Sequence, residues 1–320
     1  MRSKRLCTAL VLAIAASGLF ACTSLQPLPD DGFVDAPGGR IAFRVIGGGD
    51  GVPVLLIHGG PGATSCSYVS TVDGIASSRA VVVYDQLGSG NSDRMRDMAR
   101  DATLSRFVGE VAAIRQQLGL EEVHLVGHSW GATVALEYLL TASPTGVRSV
   151  SFVGPLLSTP RWIADANALV GQLPEDAQVA IRAAKASGRY DTPEFEAANE
   201  VFEKHFGSRA PRQSFPACES MPIRFNSQLY EYMWGPSEFV STGTLRDYDR
   251  LEQLRELKLP TLFLVGQYDE VRVETAREFQ ARVPGSILRV IPDAAHGIQR
   301  DQPEAFNEAI VEFIEGAERR

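Results

Sequence analysis

The pentapeptide Gly127-His128-Ser129-Trp130-Gly131 constrains the fold of this 320-residue chain more than any other feature. It follows an apolar run, Val123 to Val126, and precedes a segment with helical spacing, Thr133 to Leu140. A G-x-S-x-G between a strand and a helix makes a sharp turn: the glycines let neighbouring backbones close in, and the serine hydroxyl stands clear at the positive end of the helix. Such a turn belongs on the carboxyl edge of a parallel sheet. The surrounding chain should therefore alternate strands with helices.

It does so on both sides of the turn. Strands are expected at Ile41 to Ile46, Val52 to Ile57, Ala80 to Tyr84, Val123 to Val126 and Val147 to Val153, with Gly47 to Gly51 read as a hairpin turn. Leu104, Phe107, Val108, Val111, Ile114 and Leu118 recur at helical spacing, and Gly119 offers a stop. Strands apolar on both faces predict an α/β fold with a mostly parallel central sheet and helices on both sides. From Pro155 the strand rhythm gives way to helical, Pro- and Gly-punctuated sequence, and it resumes at Pro260 to Val265, Val273 to Arg282, Ser286 to Ile291 and Pro303 to Ile314. The expected organisation is a core over 34–154 and 246–320 with an inserted helical cap over 155–245.

A serine hydroxyl needs a base, and in this chain order an acid and then a histidine should follow it. Of the two histidines after Ser129, His205 falls among helical residues of the cap, where a surface position is expected. His296 lies in a loop past the last expected strand. Asp269, just past Leu262 to Gly266, is the expected orienting acid and is preferred to Asp293, which is too near His296 in sequence. An oxyanion needs preorganised donors. The turn His58-Gly59-Gly60-Pro61-Gly62 after a core strand supplies the Gly60 N–H, and the residue after the nucleophile supplies that of Trp130. Phe225, Tyr230, Trp234 and Phe239 are candidate pocket walls. No metal-ligand cluster is evident, and the chemistry needs no cofactor.

With 44% hydrophobic and 22% charged residues, disorder is not expected. The net charge of −8 argues against nucleic acid as a partner. Residues 1–21 have the form of an export signal: Arg2, Lys4 and Arg5, then an apolar run too short for a membrane span. The sequence Leu19-Phe20-Ala21-Cys22 resembles a bacterial lipobox, with Phe20 a departure from the usual smaller residue. Cys22 is the expected lipidation site, 22–33 a solvated tether, and the mature chain an exported cell-envelope lipoprotein held to the membrane only by its lipid, on the periplasmic side of the outer membrane if the cell is Gram-negative; an uncleaved anchor or a different cleavage point is the alternative. Removing the three basic leader residues would take the charge to −11. Cys66 and Cys218 remain, as a disulfide or as two thiols.

Taken together, His58-Gly59-Gly60-Pro61-Gly62, Asp85-Gln86-x-Gly88-x-Gly90-x-Ser92, Gly127-x-Ser129-Trp130-Gly131, Trp234 to Phe239 with Thr242-Gly243-Thr244, and Gly266-x-Tyr268-Asp269-Glu270-Val271 resemble the proline iminopeptidase group of the α/β-hydrolases. That group includes the archaeal aminopeptidase that works with the tricorn protease. The resemblance implies the α/β-hydrolase fold, a triad of Ser129, Asp269 and His296, and Glu238 and Glu270 as binders of the substrate's free amino end. Ala132 stands where many members have a second glycine, and most members lack an export signal. The expected activity is removal of proline or another small residue from the N-terminus of short peptides. Two alternatives stay open: an amidase or ester hydrolase acting on small amino-acid derivatives with the same triad, and a catalytically silent binding lipoprotein.

Overall fold

The structure, a computed structural model, describes residues 28–211 and 215–319. The expected leader and Cys22 lie outside the described residues. Eight strands form one sheet: β1 (Asp31–Ala36), β2 (Gly39–Ile46), β3 (Gly51–Ile57), β4 (Arg79–Tyr84), β5 (Val123–His128), β6 (Val147–Val153), β7 (Thr261–Gly266) and β8 (Ile287–Ile291). Their order is β1-β2-β4-β3-β5-β6-β7-β8. The two pairings at the β1 edge are antiparallel and the rest parallel. β3, β4, β5 and β7 are lined with Val, Leu, Ile and Phe, as burial from both faces requires.

Two apolar layers cover the sheet. On one face Phe107, Val111, Trp130, Leu136 and Phe279 bring down the helices Leu104–Gln117, Trp130–Ala142 and Val273–Arg282. On the other, Phe306, Ile310, Phe313 and Ile314 seat the helix Pro303–Glu318. Each such side chain removed from water contributes about 1.5–3 kcal/mol, so the register of these helices is fixed by apolar spacing.

Two expectations are corrected. Gly47 to Gly51 is not a hairpin turn: β2 pairs with β4, and the loop carries the chain past β4 to the interior position of β3. An edge-to-interior crossing leaves no mark in local turn chemistry. The ordered body also begins before Val34, because Asp31, Gly32 and Phe33 already pair with Arg44, Phe43 and Ala42. An edge strand needs only backbone partners and one buried face, here Val34, so polar neighbours do not prevent it.

Between β6 and β7 lie the helices Thr159–Val170, Glu175–Ser187, Pro193–Phe202 and Ser227–Met233. Leu169, Ile181, Phe195, Phe202 and Phe239 form a separate apolar cluster there, whereas Trp162, Leu229, Met233 and Trp234 pack into the main core. Several attachments bind this region to the rest, among them a disulfide and a pair of backbone bonds. A disulfide joins Cys66, in the loop after β3, to Cys218. The His296 and Gly297 amides donate to the carbonyls of Phe206 and Gly207 at 2.8 and 2.7 Å. Asp301 reinforces the second, accepting from Ser208 Oγ, the Arg209 and Ala210 amides and the Ala295 amide.

Candidate active site

Ser129 stands between β5 and the helix Trp130–Ala142 with φ 55° and ψ −121°, a left-handed conformation that a side chain rarely adopts. The flanking glycines make this possible by close approach. A Cβ on Gly131 would lie 2.1 Å from the Ile57 carbonyl oxygen, and one on Gly127 would lie 2.5 Å from that of Gly131. The pentapeptide is thus wedged against the end of β3, which carries the turn His58 to Gly62.

Asp269 and His296 come together from the loops after β7 and β8. His296 Nδ1 lies 2.8 Å from Asp269 Oδ1, and the Gly266 amide donates to Asp269 Oδ2 at 3.0 Å, leaving the carboxylate buried but partnered. Gly154, at the end of β6, makes room for the ring: a Cβ there would meet His296 Nδ1 at 2.7 Å. Burial alone would depress the imidazole, but Asp269's charge and hydrogen bond, with the charges of Glu238 and Glu203, raise it above its usual 6.5. Ser129 and His296 line one cavity of about 1570 Å³. Their side chains are not hydrogen-bonded to each other in this structure, a contact that tightens in many hydrolases only with substrate bound. Asp293 is exposed and donates its amide to Gln267, away from the ring. His205 is likewise exposed.

Gly60 borders the same cavity, and the Trp130 N–H, opening its helix, has no intrahelical acceptor. Gln86, whose role sequence reasoning did not assign, ties these two segments together. Its Nε2 donates to the His58 carbonyl at 2.8 Å, and its Oε1 accepts from Trp130 Nε1 at 2.9 Å. His58 is held neutral by burial, accepting the Gln86 amide at Nε2 and donating from Nδ1 to the Gly59 carbonyl. Asp85 fixes the next shell of the loop, accepting from Ser65 and Asn91. The sequence signal was the Asp85-Gln86 motif itself.

Glu238 lines this cavity from the cap, and Glu270, from the core, adjoins His296. Glu270, 2% exposed, has its Oε2 3.7 Å from His296 Nε2. Tyr230 donates its hydroxyl to Glu238 Oε1 at 2.5 Å. Burial raises Glu238 to about 7, helped by the charge of Glu203. Glu270 is raised well above the carboxylate range by burial and by the charges of Glu238, Glu203 and Asp269. Glu203 is thus a third carboxylate at the site, and nothing in its acidic helical surroundings distinguished it in the sequence. Of the four candidate aromatic walls, Phe225 and Tyr230 line the cavity, whereas Trp234 and Phe239 are buried in packing. Among the described residues no group of His, Cys, Asp and Glu is placed to hold a metal ion.

Residues 52–303 match the family model for the alpha/beta hydrolase fold. Along nearly its whole length the chain is similar to a proline iminopeptidase of Heyndrickxia coagulans, 42% identical over 286 residues that cover 89% of this chain and 98% of that protein. The chain belongs to the proline iminopeptidase group of the α/β-hydrolases. A second relative in the group, the proline iminopeptidase of Lactobacillus delbrueckii subsp. lactis, is 35% identical over 79% of this chain and 87% of its own. The crystal structure of a Mycobacterium smegmatis proline iminopeptidase superposes with a TM-score of 0.79 at 27% identity, covering 90% of this chain and 98% of that one.

Proposed function

We propose that this chain is a serine hydrolase that releases proline, or another small residue, from the free N-terminus of short peptides. The observation that carries the reading is the pair of carboxylates beside Ser129 and His296: Glu238, half-buried, lines their cavity, and Glu270, buried, lies 3.7 Å from His296 Nε2. A buried carboxyl raised in this way is stabilised by an incoming ammonium, which itself needs a charge partner once withdrawn from water. A small neutral ester gives these acids nothing to pair with, which favours the aminopeptidase over the esterase alternative.

In this mechanism His296 Nε2 takes the Ser129 proton as Oγ attacks the scissile carbonyl, while Asp269 holds the ring and stabilises its charged form. The Gly60 and Trp130 amides receive the oxyanion. Collapse breaks the C–N bond as His296 returns the proton to the departing amine, and water then hydrolyses the acyl-enzyme by the same route in reverse. A panel of chromogenic amides of Pro, Ala and Phe, with free and acetylated amines, tests the reading. Free prolyl amides should be cleaved, acetylated ones should not, and Ser129→Ala should abolish turnover with the fold intact. Comparable turnover of acetylated substrates would overturn it. The leader supports a second proposal, that Cys22 is lipidated and the enzyme is anchored in the cell envelope. An unmodified N-terminus in mass spectra of the mature protein would refute that.

A further inference from the structure

The cavity has a second polar wall that neither the triad nor the glutamates use. Tyr68 lines it and is 2% exposed, yet its hydroxyl has no hydrogen-bond partner among the described residues. Gln299, 3% exposed, also lines it, and its Oε1 is likewise unpartnered. Two buried polar groups in one wall would each cost about 1–3 kcal/mol if nothing, water or ligand, paired with them.

Arg300 completes the wall. Its side chain forms no ion pair or hydrogen bond among the described residues, although Arg189 has Asp191 at 3.7 Å and Arg224 donates to the Glu219 carbonyl. The guanidinium folds back over the histidine loop, where a Cβ on Gly297 would lie 2.6 Å from one of its nitrogens. Its charge is felt by Tyr68, His128 and Glu270. The wall is continuous with the triad: the Tyr68 ring packs edge-on to His128 at 6.1 Å, and the His128 ring lies 4.6 Å from that of His296.

Position decides what binds. His296 must protonate the nitrogen of the leaving group, so the leaving residue is held beside the loop that carries His296, Gln299 and Arg300. In a dipeptide the terminal carboxylate is only two bonds beyond that nitrogen. A guanidinium and a phenol hydroxyl are donors matched to a carboxylate, and Gln299 can turn its amide N–H toward it as well. We propose that Tyr68, Gln299 and Arg300 form a leaving-group subsite for the carboxylate of the second residue, and that the preferred substrates are free, zwitterionic dipeptides. This inference rests on the amine-end assignment to Glu238 and Glu270 made above.

The test compares Pro-Ala, its C-terminal amide and proline p-nitroanilide on the wild-type enzyme, Arg300→Gln and Tyr68→Phe. Wild type should favour Pro-Ala over the amide at least tenfold in kcat/KM. Each variant should lose about tenfold on Pro-Ala, chiefly through KM, and bring free and amidated dipeptides toward equality. Proline p-nitroanilide, whose leaving group has no carboxylate, should change less than twofold. Equal wild-type turnover of Pro-Ala and its amide would overturn the subsite, as would variants that lose equally on all three substrates. No wild-type turnover of any of the three would overturn the prolyl-peptidase assignment itself, and the subsite with it.

Discussion

Replacing Glu238 by Gln should make the enzyme a poorer aminopeptidase and a more stable protein at alkaline pH. The glutamine amide oxygen can still accept the Tyr230 hydroxyl, so the change removes charge and leaves the shape. The Glu238 carboxyl is raised from 4.5 to about 7. A carboxyl whose folded pKa is raised contributes stability that is complete below the unfolded value and lost as pH climbs through the folded one. At 1.36 kcal/mol per unit, the loss between pH 5 and pH 8 is on the order of 2–3 kcal/mol. Urea unfolding of wild type and Glu238→Gln at those two pH values should therefore show their difference in stability moving by about that amount in the variant's favour. Activity should move the other way. A hydrogen bond to a charged group is worth about 1.5–3 kcal/mol, so kcat/KM for a free-amine prolyl amide should fall at least tenfold. A neutral ester should be largely spared. The wild-type profile for the free-amine substrate should rise through about pH 7 as Glu238 ionises together with deprotonation of His296. A stability difference that does not change with pH, or an equal loss on amide and ester, would refute the reasoning.

Gly154→Ala should place a methyl group against His296 Nδ1 and 3.2 Å from Asp269 Oδ2, at a backbone φ of 48°. Turnover should fall at least a hundredfold, with much less effect on binding of a free-amine inhibitor, measured by calorimetry. Gln86→Leu should lower kcat about 10–100-fold with KM little changed, because the link between the two oxyanion segments is lost. Cys66→Ser removes a crosslink spanning 152 residues and should cost about 2–5 kcal/mol, read from denaturant midpoints that no longer respond to a reducing agent.

What the sequence revealed was local. Gly127 to Gly131 announced the elbow because both glycines are forced by contacts within a few residues or with the adjacent strand. Asp269 and His296 were legible because each sits in a short loop directly after an apolar strand. Strand order was not, since the placement of β4 between β2 and β3 depends on crossings that leave no local trace. The same limit left the Cys66 to Cys218 pairing undecided and hid the bridge made by Gln86 and the approach of Glu203 to Glu238 and Glu270. Each is a meeting of segments far apart in the chain, brought about by the cap folding over the sheet.

The backbone bonds from His296 and Gly297 to Phe206 and Gly207 bear on how substrate gets in and out. A lid that swung away along this seam would pull His296 from Asp269, so under the proposed mechanism opening here and catalytic competence are mutually exclusive. Traffic through an active enzyme would then use another part of the rim, such as that where Arg189, Tyr190, Asp191 and Glu196 border the cavity. Breathing of that rim, rather than rotation of the whole cap, would be the motion that product release waits on.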